Sequence, residues 1–421
     1  MPSFQATVAV LGGLLILGAL LSGLARRSFL SLTALFVLVG FLVGDGGLEW
    51  ISFSARSGFV QDLAYAALIV ILFRDGLEVE REMLQREWHL PLRKLVVAMP
   101  ITALIVALAA RAIVGLSWTE AFLLGALLSP TDPILTSSIV TNPRVPRLIR
   151  HSLNLESGLN DGLALPAVLA FLAALTVGSE HFVWWRFVLQ DVGLGFLYGL
   201  ACGWVASLLM PRDGARGARK RERELEYSIP AHQKSLYALG VAFGTYGVTV
   251  LSPRGNGFIA VFVAAIVLGI RRPDLRRHFE QRADEIVEIV KLGIFLVFGS
   301  LLTLHALFSD GWAAVALVLI TFLIARPLAV WIALLGTSTD AGTRLFMGWF
   351  GPKGVATMTF SLIVLDQGIA AGQRIFDLAA LVVFSSIIVH GLSDTPGANW
   401  IARHTAERPL TPPLPQGARA P

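Results

Sequence analysis

The chain has 421 residues, 55% of them hydrophobic and 15% charged, with mean hydropathy +0.69. A soluble domain carries about 25% charged residues, so a water-soluble enzyme is excluded, and the formal charge of +5 is dispersed over short loops rather than gathered into a nucleic-acid-binding face. The single cysteine, Cys202, lies in an apolar run and leaves no disulfide framework and no cysteine metal site.

Apolar blocks recur along the chain, many close to the roughly 20 residues a helix needs to cross a bilayer. They are continuous runs and not ten-residue alternations, which sets a β-barrel aside. The fold class expected is an all-α polytopic membrane protein with about 13 transmembrane helices. In order, the expected spans are Thr7–Leu24, Leu30–Val43, Phe59–Phe73, Leu95–Leu116, Ala121–Val140, Leu153–Val177, Phe187–Met210, Leu236–Leu251, Phe258–Ile270, Ile289–Leu307, Trp312–Leu335, Leu345–Leu365 and Ile375–Val389. The first run has neither a basic leader nor an A-x-A-like cleavage site and reads as a retained span.

Loop charge sets the orientation. With the N-terminus outside, the inside loops collect Arg26, Arg27, Arg74, Arg81, Arg86, Arg93, Lys94, Arg144, Arg147, Arg150 and Arg344, together with the basic stretches 212–234 and 271–282. The outside loops hold only Arg56, Arg111, Arg186, Arg254 and Arg374. Arg and Lys favour the cytoplasmic side, so the C-terminus is expected in the cytoplasm of a multi-pass protein of a cell (inner) membrane. Leu77–Arg93 and Pro273–Glu288 have amphipathic patterns and are expected to lie on the membrane surface. The Pro-rich end from Arg408 is expected to be disordered.

Several polar residues fall inside apolar runs, where an ionisable group is by default functional and needs a partner. In the sixth span, Leu153–Pro166 carries Glu156, Ser157, Asn160 and Asp161. Helical spacing stacks Ser157 on Asp161 and Glu156 on Asn160, two pairs pointing in adjacent directions. One face offers an ion a hydroxyl and a carboxylate; the bland alternative is a satisfied polar patch between helices. In the fifth span, Ser129-Pro130-Thr131-Asp132-Pro133 should break the helix, because proline removes a donor and clashes with the preceding turn. Such a break frees backbone carbonyls and N–H groups that can hold ions, to which Thr131 adds a hydroxyl and Asp132 a charge. Asp132 is expected to cap the second half of its own helix.

The twelfth span has a similar break at Gly351-Pro352-Lys353-Gly354, and Lys353 suits the negative end of a half-helix. Two interrupted spans at corresponding places suggest inverted repeats, with the fourth to sixth spans matching the eleventh to thirteenth. Arg326, inside the eleventh span, needs an anion; Glu156 is the candidate, and snorkelling to the interface is the alternative. Lys291 and Asp62, nearer span ends, are expected to snorkel; His305 and His390 are also expected near span ends and have no metal-site spacing.

These motifs match a known family. The chain resembles the NhaP-type sodium/proton antiporters of the cation/proton antiporter superfamily, through S-P-T-D-P at 129–133, E-S-G-L-N-D-G at 156–162, Arg326-Pro327 and G-P-K-G at 351–354. The resemblance runs to about residue 395. It implies an NhaA-like fold of inverted repeats with two broken, crossing helices, working as a homodimer. It divides the chain into a transmembrane antiporter domain over 1–396, with a moving core around 95–177 and 312–389, and a short cytoplasmic tail over 397–421. It implies that Asp161 carries the ion and the proton, that Thr131, Asp132 and Ser157 are further ligands to Na+, that Asn160 holds the site together, and that Glu156 pairs with Arg326. No cofactor is implied beyond the transported ions.

Two residues depart from the family pattern. Arg74-Asp75 follows the third span where many relatives have an acid directly, so Asp75 is a possible extra ligand; and Lys353 stands where many have Arg. The activity the resemblance implies is exchange of Na+ or Li+ for H+, one for one, by alternating access with both ions competing at Asp161. Exchange of K+ is the alternative on the same fold. An intramembrane aspartyl protease using Asp132 and Asp161 lacks the usual Tyr-Asp and Gly-x-Gly-Asp contexts, and an ion channel is the third class.

Overall fold

A computed structural model describes residues 12, 13, 16, 20, 32–83, 88–132, 139, 140, 142–178, 180–210, 231–251 and 255–407. Among these the chain is all-helical. In order the principal helices are α1 (Leu32–Val43), α2 (Gly58–Met83), α3 (His89–Val114), α4 (Trp118–Leu127), α5 (Arg147–Val177), α6 (Trp184–Leu209), α7 (Ala231–Leu251), α8 (Gly257–Arg271), α9 (Pro273–Ser300), α10 (Trp312–Ala333), α11 (Ala341–Trp349), α12 (Val355–Asp366) and α13 (Gly372–Glu407). Helices α3, α5, α6, α10 and α13 are long and apolar enough to cross a membrane unaided. Every expected span from the second onward has a helical counterpart; the first falls almost wholly outside the described residues.

Local chemistry marks the ends. Ser117 and Glu120 form a reciprocal capping box at the start of α4. Asn256 accepts from the N–H groups of Phe258 and Ile259 at the start of α8, and Asp340 from Thr343 N–H at the start of α11. Gly115, at φ +79°, closes α3 in a conformation that glycine takes without strain. Helices α3 and α10 each contain π-helical turns, Lys94–Ala98 and Ala110–Val114 in the first and Thr321–Ala325 in the second. An extra residue per turn re-aims the side chains around it.

The helices pack in two groups. In one, α8 is flanked by α6, α2 and α7, and α9 lies along α1. In the other, α3, α4 and α5 pack in sequence, and α10–α13 repeat the same order of long helix, broken helix, long helix. The groups meet where α2 touches α5 and α12, and where α9 touches α12. Close approach depends on missing side chains. A Cβ on Gly299 would fall 2.2 Å from the Val37 carbonyl oxygen, and one on Gly40 would fall 2.3 Å from that of Leu296.

Several expectations need correction. Leu77–Arg93 is not a surface helix: α2 continues through Arg74 and Asp75 to Met83, with Leu77 and Val79 buried, and His89–Arg93 is the first turn of α3. Pro273–Glu288 is likewise the first half of α9, with Leu275 and Phe279 buried and Phe279 edge-on to Phe73. Hydropathy ends a span at the first charges, whereas the fold carries the helix past them once their other faces are packed. His390 is not near a helix end but buried within α13, between Ser386 and the Trp349 carbonyl. The last span also runs past Val389: α13 continues through Pro396 to Glu407, with Ala398 and Ile401 buried. The stretch from Arg408 lies outside the described residues.

The α1–α9 contact is backbone against backbone, so it cannot relax by a rotamer change. Gly299→Ala should lower stability by about 1–3 kcal/mol, read as a lower unfolding temperature of the detergent-purified chain, while an alanine at Gly244, whose Cβ meets open space, should leave it unchanged.

Candidate functional site at two crossing helix breaks

α4 stops at Leu127 and the chain leaves the helix through Ser129-Pro130-Thr131-Asp132. α11 stops at Trp349, and α12 starts at Val355 after Phe350–Gly354. The two breaks face each other and bond directly: Asp132 N–H donates to the Pro352 carbonyl at 2.8 Å. A helix end leaves carbonyls or N–H groups without partners, carrying partial negative or positive charge. Here each break supplies the charge the other lacks. The Lys353 ammonium donates to the carbonyls of Ser129 and Pro130, at 3.3 and 3.1 Å, and the Asp132 carboxylate accepts from Val355 N–H at 3.3 Å. Thr357 adds a hydroxyl bond to the Leu127 carbonyl. Asp132 therefore caps α12; residues 133–138, where the expected cap on its own helix would fall, lie outside the described set. Gly354 makes room for this, since a Cβ there would fall 2.4 Å from that of Asp132.

Asn160 of α5 locks the first break. Its amide donates to the Thr131 carbonyl at 2.7 Å and to the Thr131 hydroxyl at 3.0 Å. Thr131 is thus turned toward Asn160, and it does not line the cavity described below.

Glu156, one turn earlier, is buried and doubly paired. Arg326 reaches it with both terminal nitrogens, at 2.8 and 3.2 Å, and Lys94 with its ammonium at 2.7 Å. Lys94 also donates to the Ser152 carbonyl. The bare backbone of Gly351 lets the Arg326 side chain pass, because a Cβ would meet its Nε at 1.7 Å.

Asp161 is different. Among the described residues it makes no hydrogen bond and no ion pair. With Ser157 and Asn154 it lines a cavity of about 60 Å³, also bordered by Asp132, Asp75, Arg74, Glu78 and Lys291. That is room for a water or two, or for a partly dehydrated monovalent cation, given about 30 Å³ per water in the liquid. Arg74 reaches Glu78 at 3.4 Å, one turn along α2. A second, larger cavity of about 350 Å³ lies farther along the same α2–α5 seam, lined by Tyr65, Leu169, Leu172, Tyr246, Phe258 and Gln367 among others. Gly162 packs against the ring of Phe262, on the α5 turn next to Asp161 and before the second cavity's Leu169.

Residues 13–400 match the family described as "Sodium/hydrogen exchanger, transmembrane". The chain belongs to that family. It is 28% identical over 399 residues to the K(+)/H(+) antiporter NhaP2 of Shewanella oneidensis, covering 93% of this chain and 66% of that protein. It is 26% identical to the K(+)/H(+) antiporter NhaP of Alkalimonas amylolytica, covering 95% and 68%. It therefore spans about two thirds of the length of these relatives. Its fold is similar to that of the sodium proton antiporter MjNhaP1 from Methanocaldococcus jannaschii, with TM-score 0.74 and 19% identity over 98% of this chain and 100% of that one.

Within this exchanger fold, the breaks, Asn160, Glu156, Arg326, Ser157 and Asp161 come together around one point. Two basic residues escaped the sequence reading. Lys94 was assigned to an inside loop but is fully buried on Glu156; Lys291 was expected to snorkel but is 7% exposed at the cavity. Lys94 could have been found from its partner: a buried acid facing an arginine has lone pairs to spare. Lys291 could have been found by extending α9 backward from its apolar half.

Removing the Glu156 carboxylate would strand two buried cations. Glu156→Ala should destabilise the exchanger fold by about 3–5 kcal/mol, seen as loss of the folded peak in detergent or a large drop in unfolding temperature; an unchanged midpoint would contradict the pairing.

Proposed function

We propose that the chain is a secondary active antiporter that exchanges Na+ or Li+ for H+, one for one, with both ions competing at Asp161. The observation that carries this reading is the contrast between the two acids of α5. Glu156 is saturated by Arg326 and Lys94, while Asp161, one turn on, has no bonding partner among the described residues and faces a small polar cavity. A carboxylate left unpaired at bilayer depth is a group that takes a partner from outside.

Ser157 and Asp132 stand beside Asp161 as oxygen ligands of the kind alkali cations accept, and Asp75 adds a third acid from α2. Asn160 and Thr131 hold the break in shape. Lys353 keeps the two half-helix ends neutral, so the charge of the site is set by what occupies it. An empty, ionised Asp161 resists crossing apolar surroundings because desolvating a charge costs several kcal/mol; bound to a cation or a proton it loses that barrier. Occupancy then couples the two flows without a separate gate.

The helices α3–α5 and α10–α13 serve as the moving core, and α1, α2 and α6–α9 as the scaffold that contains the dimer surface. Movement of the core along the α2–α5 seam would pass Asp161 from the first cavity toward the second, with the Gly162–Phe262 contact as the closed layer between them. The first cavity faces the cytoplasm of a cell (inner) membrane in the orientation set by loop charge. Exchange of K+ is the second reading, favoured by the names of the Shewanella and Alkalimonas relatives. The chemistry is transport and not bond-breaking, because no nucleophile or water-activating dyad is needed to use this site.

Full-length protein in vesicles with a proton-quenched dye should dequench on addition of Na+ or Li+, and of K+ if the second reading holds. Asp161→Asn should abolish the signal while eluting as a folded species. Exchange that builds a membrane potential would defeat the one-for-one scheme, and exchange retained in Asp161→Asn would defeat the site.

A further inference from the structure

The cavity contains a cation of its own. Lys291 lies on α9 within the apolar run Val290-Lys291-Leu292-Gly293-Ile294, is 7% exposed, and borders the space that Asp161 faces. It makes no hydrogen bond and no ion pair with any described residue. A buried ammonium without compensation is strongly unfavourable, so its charge must be balanced by the carboxylates across the cavity. Asp75 is one, on α2, which packs directly on α9. Asp161, on α5, is the other.

Among the described residues, the other charges lining the cavity are engaged elsewhere. Arg74 and Glu78 of α2 are paired, and Asp132 caps α12. Glu288, on α9 itself, is exposed. α1 carries no charged residue, and Asp62 of α2, Lys234 of α7, Arg271 of α8 and Asp366 of α12 do not line the cavity. Lys291 is therefore the cation placed to act on the free acids.

We propose that Lys291 is a fixed counter-charge on the scaffold that competes with the transported cation for the carboxylates of the cavity, and so sets the affinity of the site. This rests on the exchange reading above. A cation entering the cavity meets the acids Asp75 and Asp161, with the α12-capping Asp132 and the Arg74–Glu78 pair beside them, and one resident ammonium. With Lys291 present the pair of acids presents roughly the charge that a single monovalent ion satisfies; without it they would hold an ion more tightly and release it more slowly. Lys291 and Asp75 both sit on the scaffold, while Asp161 sits on the core. When the core moves, Asp161 leaves the field of that pair, so its affinity for a cation differs between the two ends of the cycle. The residue sets affinity and is not itself a ligand.

The test is vesicle exchange by the full chain at alkaline pH, where protons compete least, using whichever of Na+ and K+ the wild type transports. Lys291→Met should lower the apparent KM for that cation about tenfold, a single-charge effect at short range, with a smaller fall in turnover. Lys291→Arg should keep the wild-type KM. Asp75→Asn, which leaves Lys291 unopposed beside Asp161, should raise KM, and adding Lys291→Met to it should lower KM again. A KM that is unchanged or raised in Lys291→Met overturns the proposal; if that variant does not fold, an unchanged KM in Asp75→Asn does so. Failure of the wild type to exchange any cation, or activity in Asp161→Asn, would instead remove the antiport reading itself.

Discussion

Inside a bilayer no water is at hand to satisfy a broken helix, so an interruption must find its partners within the protein. The crossing of the two breaks meets this constraint by exchange. The Lys353 ammonium covers the carbonyl end of α4, the Asp132 carboxylate covers the N–H end of α12, and Asp132 N–H closes the contact on the Pro352 carbonyl. Neither break could persist alone. The glycine at 354 and the amide of Asn160 are consequences: one clears the approach, the other keeps the extended segment from collapsing.

The crossing also explains how one carboxylate can be left free. Charges at this depth are tolerated when paired, and the fold pairs both Glu156 and Asp132. Glu156 is enclosed by Arg326 and Lys94, and Asp132 is spent on a helix end. Nothing comparable reaches Asp161 among the described residues. The contrast between two acids one turn apart on the same helix is what separates a structural group from an exchangeable one. The presence of Lys291 refines that contrast, because it places a fixed positive charge opposite the exchangeable group rather than leaving it in a purely acidic pocket.

The two cations on Glu156 come from corresponding helices. Lys94 opens the π-helical turn of α3, and Arg326 directly follows the π-helical turn of α10. The two helices lead the two halves of the repeated order. In each, a π-helical turn adjoins the long basic side chain that reaches Glu156. Glu156 is thereby gripped from both halves, which ties the core together beneath the crossing.

How much of this the sequence determined follows from which signals are local. Apolar length sets the class, and the helices from Leu32 onward appear where hydropathy expects them. Proline and glycine chemistry alone locates the breaks at 129–133 and 351–354, and the cost of a buried charge singles out Glu156, Asp161 and Arg326. The pairing of Glu156 with Arg326 could be named because only a few ions of opposite sign lie deep in spans. Tertiary structure decided the rest, because hydropathy truncates a helix at its first charges and cannot see that a neighbour will satisfy them. For that reason hydropathy ends the α2 span at Phe73, starts the α9 span at Ile289, treats Lys94 and Lys291 as loop or interface residues, and ends the last span at Val389. That Asp132 caps α12, where Thr131 turns, and that Glu156 is paired while Asp161 is not all depend on contacts between residues far apart in the chain, and only the folded arrangement sets those.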